Sequence, residues 1–154
     1  MPYIASLAPT TEISSLLSTN WDTQSGNVPA PTFIVPNDPT VPARYDLRNP
    51  TTHDEVIIKP DLPAEEEQPI GTWIYGNHIW KIVLEIKTPT SRVRLWDIRR
   101  EIRRICHSQM HSMTNFQRIQ YKNFTELVEQ EQRIWAGRIN LELINSAELL
   151  EISY

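Results

Sequence analysis

Residues 77–88, NHIWKIVLEIKT, constrain the fold more than any other stretch of the chain. Trp80, Ile82, Leu84 and Ile86 alternate onto one side, and Ile79, Lys81, Val83, Glu85 and Lys87 onto the other. Successive side chains of an extended chain point to opposite faces, so this is a long strand with one apolar and one mixed face. Pro89 removes a backbone donor and ends the ladder, and Thr90 or Ser91 can cap a helix directly behind it. In that helix, SRVRLWDIRREIRRI from Ser91 to Ile105, the residues Leu95, Ile98, Ile102, Ile105 and the following Cys106 fall within an arc of about 100°. A half-apolar strand running into a half-apolar helix predicts that the helix folds back over the sheet.

The remaining elements are shorter. TTEISSLLSTNW (10–21) has Ile13, Leu16 and Leu17 on one helical face behind Thr10 or Thr11 as caps. Residues 22–42 contain five prolines and read as extended chain or loop, with Phe33, Ile34 and Val35 as an edge segment. ARYDLR (43–48) and EVIIK (55–59) read as short strands around a polar turn. PDLPAEEEQP (60–69) holds three prolines and the adjacent Glu65, Glu66 and Glu67, which predicts a solvated loop because like charges repel. NFQRIQYKNF (115–124) and QRIWAGRINLELI (132–144) read as two closing strands, the second with Trp135, Ile139, Leu141 and Leu143 on its core face. The tail NSAELLEISY fits one helical turn or an extended arm. Short links between neighbouring strands imply mainly antiparallel pairing. The expectation is a single α+β domain over residues 1–154, in the order α-β-β-β-α-β-β, with two helices on one face of one sheet. Residues 22–69 carry a proline-rich arm and the acidic loop.

Charge narrows the function. The helix from Ser91 carries six of the eleven arginines in a chain of net charge −4. Residues 1–69 hold ten acids and three bases, and residues 70–154 nine acids and twelve bases. A duplex-binding domain needs a broader basic excess than that. Arg99, Arg100, Arg103 and Arg104 occupy one flank and the back of the helix, with Asp97 and Glu101 three residues before Arg100 and Arg104, where side chains meet. No apolar run approaches the roughly 20 residues that span a bilayer. The N-terminus lacks the basic stretch of a signal peptide, and the single cysteine excludes an internal disulfide framework, so assembly in a reducing cytoplasm is expected.

Two constellations could carry chemistry. Asp61 after Pro60, followed by Glu85-Ile86-Lys87, matches the loose PD-(D/E)xK nuclease pattern, in which two acids hold Mg²⁺ and a lysine positions water. Against it, the same residues suit a cross-strand ion pair on a mixed strand face. Cys106, His107 and His111 have the spacing of a helical zinc pair, but Cys106 lies in the apolar arc, and His53 and His78 stand apart. The reading is therefore no metal and no cofactor. Trp96 lies off the apolar arc and Trp73 follows the acidic stretch, positions that suit a protein interface, where Trp and Arg are enriched.

The layout resembles a family. A short helix ends in LLSTNW; a proline-rich crossing and RYDLRN follow; a long strand ends in VLEIKT; then come SRVRLWDIRREIRRI and a closing hairpin. This is similar to the small tail-terminator and neck (head–tail connector) proteins of tailed bacteriophages and related archaeal viruses. There a strand ending in acid-x-base-Thr runs into a helix with an E-[VI]-R-R-I element, here Glu85, Lys87 and Thr88, then Glu101 to Ile105. The resemblance covers residues 10–144. It implies a non-enzymatic virion protein assembled in the host cytoplasm, without catalytic residues or membrane contact. It further implies a ring, six-fold in the family, that meets neck, portal-adaptor or tail-tube proteins and at most touches passing DNA without sequence preference. The expected contact residues are Phe33, Ile34, Trp73, Trp96, Arg99, Arg100, Arg103 and Arg104, with Glu65, Glu66 and Glu67 as the acidic complement.

Overall fold

The computed structural model describes residues 9–22, 28–35, 53–70, 75–113, 116–127 and 134–148. The elements are α1 (Pro9–Asn20), β1 (Thr32–Ile34), β2 (Glu55–Ile70), β3 (Tyr75–Thr88), α2 (Arg92–Ser108), β4 (Arg118–Leu127) and β5 (Trp135–Glu148). The class is α+β, with the expected order of helices and strands. The strands form one sheet in the order β1-β2-β3-β5-β4. The pairs β2–β3, β3–β5 and β4–β5 are antiparallel, and the short β1 runs parallel to the start of β2.

β3 is the spine of the sheet, with β2 on one side and β5 on the other. Ile82, Leu84 and Ile86 point to the helices, as their alternation predicts, and meet Leu95, Ile98, Ile102 and Ile105 of α2, all fully buried or within one percent of it. Each such side chain gains roughly 2 kcal/mol by leaving water. α1 completes the layer through Ile13 and Leu17, which join the same cluster. The Ser91 hydroxyl caps α2 by accepting from the Arg94 N–H at 3.1 Å. Gly137 is required by packing rather than by a turn: a Cβ there would stand 2.4 Å from Phe124 Cε2. The ring of Phe124 therefore lies directly over the backbone of β5.

Three boundaries depart from the sequence reading. Residues 60–69 are strand, not loop. β2 continues past Pro60 to Ile70, with an irregularity between Pro60 and Glu65, and Glu65, Glu66 and Glu67 stand opposite Trp80, Ile79 and His78. Prolines are tolerated because β1 covers only Glu55, Val56 and Ile57, so the outer edge of β2 beyond them has no strand partner among the described residues. β5 continues past residue 144 to Glu148, so the first residues of the tail take the extended of the two expected forms and pair with β3. The first of the two strands before β3 is the proline-flanked 32–34 segment; the expected strand at 43–48 lies outside the described residues.

β4 carries a second irregularity, between Tyr121 and Asn123. Ile119 and Tyr121 face the core before it, and Phe124 faces the core after it. The apolar spacing is thus two residues, then three.

Candidate functional site

The six arginines of the 91–105 segment divide by partner. Arg94 is half-buried, donating from Nε to Asp54 Oδ2 at 2.7 Å and from Nη2 to the Pro29 carbonyl at 2.6 Å. It ties the first turn of α2 to the chain on either side of β1. Arg92 forms a two-pronged pair with Glu126, at 2.6 and 2.9 Å, and its guanidinium lies 5.2 Å from the Trp96 ring centre. That fork holds the Glu126 carboxyl below its ordinary range, and the Trp96 indole N–H adds to it. Arg100 pairs with Asp97 at 3.2 Å, the i, i+3 contact expected from spacing. Arg99 stacks over Phe124 at 5.8 Å. Arg103 is exposed and makes no ion pair among the described residues.

Arg104 and Glu101 form the other fixed junction. Glu101 is buried, and its Oε2 accepts the Asp22 N–H at 2.7 Å while Arg104 donates to both of its oxygens at 2.6 and 2.8 Å. Arg104 also donates to the Asn20 carbonyl at the end of α1, a helix with no basic residue in its last turn. A cation there complements the carbonyl end of the helix dipole. Burial alone would raise the Glu101 carboxyl, but the hydrogen bonds from Arg104 and Asp22 outweigh it, and the group lies below its ordinary range.

The nuclease-like residues lie on the sheet face away from the helices, each acid beside a base. Asp61 accepts from Arg138 Nη2 at 3.1 Å, and Glu85 pairs with Lys59 at 2.6 Å. Lys87 stands between Glu55 and Ala136 in the sheet register. With Lys81–Glu66 and the longer Lys122–Glu142 contact, these pairs form a grid of alternating charge across β2, β3, β5 and β4. Buried aliphatics alternate with the grid: Ile57 lies opposite Glu85, Val83 opposite Lys59 and Ile79 opposite Glu66. Two carboxylates already held by separate cations are not a preformed Mg²⁺ site, which needs acids converging on one ion.

The Cys-His-His spacing does not converge either. Cys106 is buried and its thiol is pushed up to about 12 by that burial. His107 is exposed and lies beside Tyr121, and His111 Nδ1 is 3.0 Å from the Gln117 carbonyl. Among the described residues no three His, Cys, Asp or Glu side chains form a metal-holding group. His53 and His78, which stand apart in sequence, each meet a glutamate: Glu55 at 2.8 Å and Glu65 at 2.6 Å. His78 is fully buried, with its ring edge-on to Trp80.

The expected contact residues separate in the same way. Phe33 packs edge-on against Trp21 at 5.6 Å, and Ile34 pairs with Ile57, so both serve the sheet. Glu65 and Glu66 are held by His78 and Lys81, while Glu67 is exposed. Trp73 lies outside the described residues. Trp96 is 42% exposed and belongs to a group that sequence reasoning found only in part. The large hydrophobics that stay exposed among the described residues are Val93, Trp96, Leu127 and Trp135. All four stand at the end of the sheet where β3 stops, α2 and β5 start and β4 stops, with the Arg92–Glu126 pair among them. Trp135 has the predicted core-face parity, opposite Thr88, but lies at the first position of its strand, where coverage ends. Exposed Trp and Leu around a charged pair is the composition of a protein interface.

Compared with known proteins, the chain matches no family model and no curated protein sequence. No helix among the described residues is long and apolar enough to cross a membrane.

Proposed function

We propose that this chain is a non-enzymatic assembly subunit of a tailed virus, a tail-terminator or neck protein that joins the tail tube to the head-side connector as part of a ring. The single observation that carries an assembly role is the exposed aromatic end formed by Val93, Trp96, Leu127 and Trp135 around Arg92 and Glu126. Aromatic and Arg anchors of this kind dominate binding energy at interfaces. The tailed-virus assignment, and six as the number of subunits, come from the resemblance of the VLEIKT strand and the EIRRI helix. The ion pairs of Asp61 and Glu85 support a structural role for the residues that resemble a nuclease triplet.

The test is the mass of the native protein, alone and beside the neck or tail-tube proteins of its own virus, with DNA cleavage assayed in Mg²⁺ and Mn²⁺. A defined oligomer without cleavage is expected, and Trp96→Ala with Trp135→Ala weakens it. A chain that stays monomeric in both settings, and cleaves DNA in a manner abolished by Glu85→Ala and by Lys87→Ala, overturns the proposal in favour of a metal-dependent nuclease.

A further inference from the structure

Most charged side chains of this molecule are matched within the chain, and the few unmatched ones are informative. Apart from Glu67, the acids of β2, β3, α2 and β4 meet a base, as in Asp61–Arg138, Glu85–Lys59 and Glu126–Arg92, and so does Asp54 just before β2, with Arg94. Glu67 is exposed and has no ion pair or hydrogen bond among the described residues. On the basic side the same is true of Arg103 on α2 and Arg118 at the start of β4. Of these two, Arg103 lies in a groove. The groove has a volume of about 900 Å³ and runs along the C-terminal half of α2, with Val28 on its wall and Arg100, Arg104 and His107 flanking Arg103.

We infer that this groove receives the outer end of β2 from a second copy of the chain, with Glu67 of one copy against Arg103 of the next. The inference rests on the ring reading and specifies its contact. Three observations support it. Glu67 is presented on a strand whose outer edge has no strand partner among the described residues, so it can enter a groove without unmaking the sheet. Glu65, two residues earlier on the same strand face, is already held by His78, and Glu66 by Lys81, so Glu67 is the exposed carboxylate at this edge. Arg100 and Arg104, about 6 Å apart along their helix, flank Arg103 and leave room for one carboxylate. Arg100 forms an ion pair with Asp97 through one terminal nitrogen, and Arg104 gives its Nε and Nη2 to Glu101 and the Asn20 carbonyl. Both keep donors for an incoming carboxylate, since a guanidinium has five.

The charge balance of the groove selects a carboxylate partner over a nucleic acid. Asp97 and Glu101 neutralise Arg100 and Arg104. What remains is the charge of Arg103. A duplex presents one negative charge per about 1.7 Å of axis and is held by many cations at once. One uncompensated arginine matches one carboxylate. Because the basic groove and the acidic strand are unlike surfaces of one molecule, the contact is head-to-tail, and repetition closes it into a ring when the rotation allows.

The test uses the full chain and reads assembly by sedimentation over a range of concentration and salt. Arg103→Glu and Glu67→Arg each weaken the association by about ten-fold or more, because each sets like charges against each other in the groove. The double variant Arg103→Glu with Glu67→Arg restores it. Circular dichroism and the melting temperature stay unchanged, since both side chains are exposed. Should a reversal perturb the fold, Arg103→Gln and Glu67→Gln give the same readout without an added charge. Single variants that assemble like the parent overturn the contact and leave the ring standing. Singles that weaken assembly without rescue in the double variant overturn the pairing of these two residues. A parent chain that is monomeric throughout, alone and beside its neighbours, removes the ring and the contact together. If Arg103→Glu lowers duplex retention on a DNA column and leaves assembly untouched, the groove binds nucleic acid and the inference is wrong.

Discussion

The two faces of the sheet are built from the same strands and closed by different chemistry. Toward the helices, β3 presents Ile82, Leu84 and Ile86, sealed by the apolar stripe of α2. Away from them it presents Lys81, Val83 and Glu85, where Lys59, Glu66 and Glu85 complete cross-strand ion pairs. Burial is nearly complete for aliphatics on both sides, with Leu84 at 0% and Val83 at 1% exposure. The energetics differ even so. The helix side draws on apolar area removed from water, in proportion to that area. The ion pairs sit at the surface, where solvent screening leaves each worth about 1 kcal/mol or less. A sequence pattern that looks catalytic can therefore be the ordinary charge pairing of a strand's second face, and here the acids Asp61 and Glu85 are divided between two bases.

The sharpest way to break this comparison is to charge the apolar side. Ile102→Asp places a carboxylate among fully buried aliphatics and is expected to cost about 4 kcal/mol or more, enough to unfold a domain of ordinary stability. Urea denaturation followed by tryptophan fluorescence measures it. A variant that melts like the parent would mean that α2 does not seal the sheet.

A smaller effect is expected at Glu101, the most deeply buried carboxylate among the described residues. Glu101→Ala leaves the Asp22 N–H and the Arg104 guanidinium without their acceptor, at an expected cost of about 2 kcal/mol. The folded Glu101 carboxyl lies below its ordinary range. Its contribution is thus fully present above the unfolded value of about 4.3 and is lost as pH falls through the lower folded value. Stability curves of parent and variant should converge on acidification. Curves that stay parallel down to acid unfolding would show that the carboxylate is not the stabilising group.

The smallest effect is expected on the charged face. Lys59→Met and Glu85→Gln should each change stability by less than about 1 kcal/mol, with a coupling in the double variant of a few tenths. A double-mutant cycle at low and high salt checks this. Coupling well above 1 kcal/mol that survives salt would place the pair in a drier setting than its exposure of 42% and 23% indicates.

The same contrast decides what could be read from sequence. The alternation of 77–88, the α2 stripe with its Ser91 cap, and the Asp97–Arg100 and Glu101–Arg104 pairs all follow from periodicity, because their partners lie on one element at fixed spacing. The 60–69 segment was not legible as strand. Its prolines and glutamates argue for loop under local rules, and only the pairing with β3 at the sheet edge reverses them. The roles of Arg92, Arg94 and Arg138 were equally hidden, since their acids lie 34, 40 and 77 residues away. Local periodicity gives no access to contacts of that range. The aromatic end was half visible: Trp96 falls off its helical stripe, but Trp135 has core parity and is exposed only because its strand begins there.

The irregularity in β4 has a consequence for how this edge strand can vary. Between Tyr121 and Asn123 the chain inserts one beat, so that Phe124 returns to the core face over Gly137. The strand behaves like a message with a built-in frame correction at Lys122. Changing the letter at that position alters one surface charge, and deleting it leaves Tyr121 and Phe124 two residues apart, the plain strand spacing that needs no correction. With Lys122 in place and the irregularity lost, a slip of one residue would turn either Ile119 and Tyr121 or Phe124 away from the helices. At Lys122 the path of the backbone carries more information than the identity of the residue.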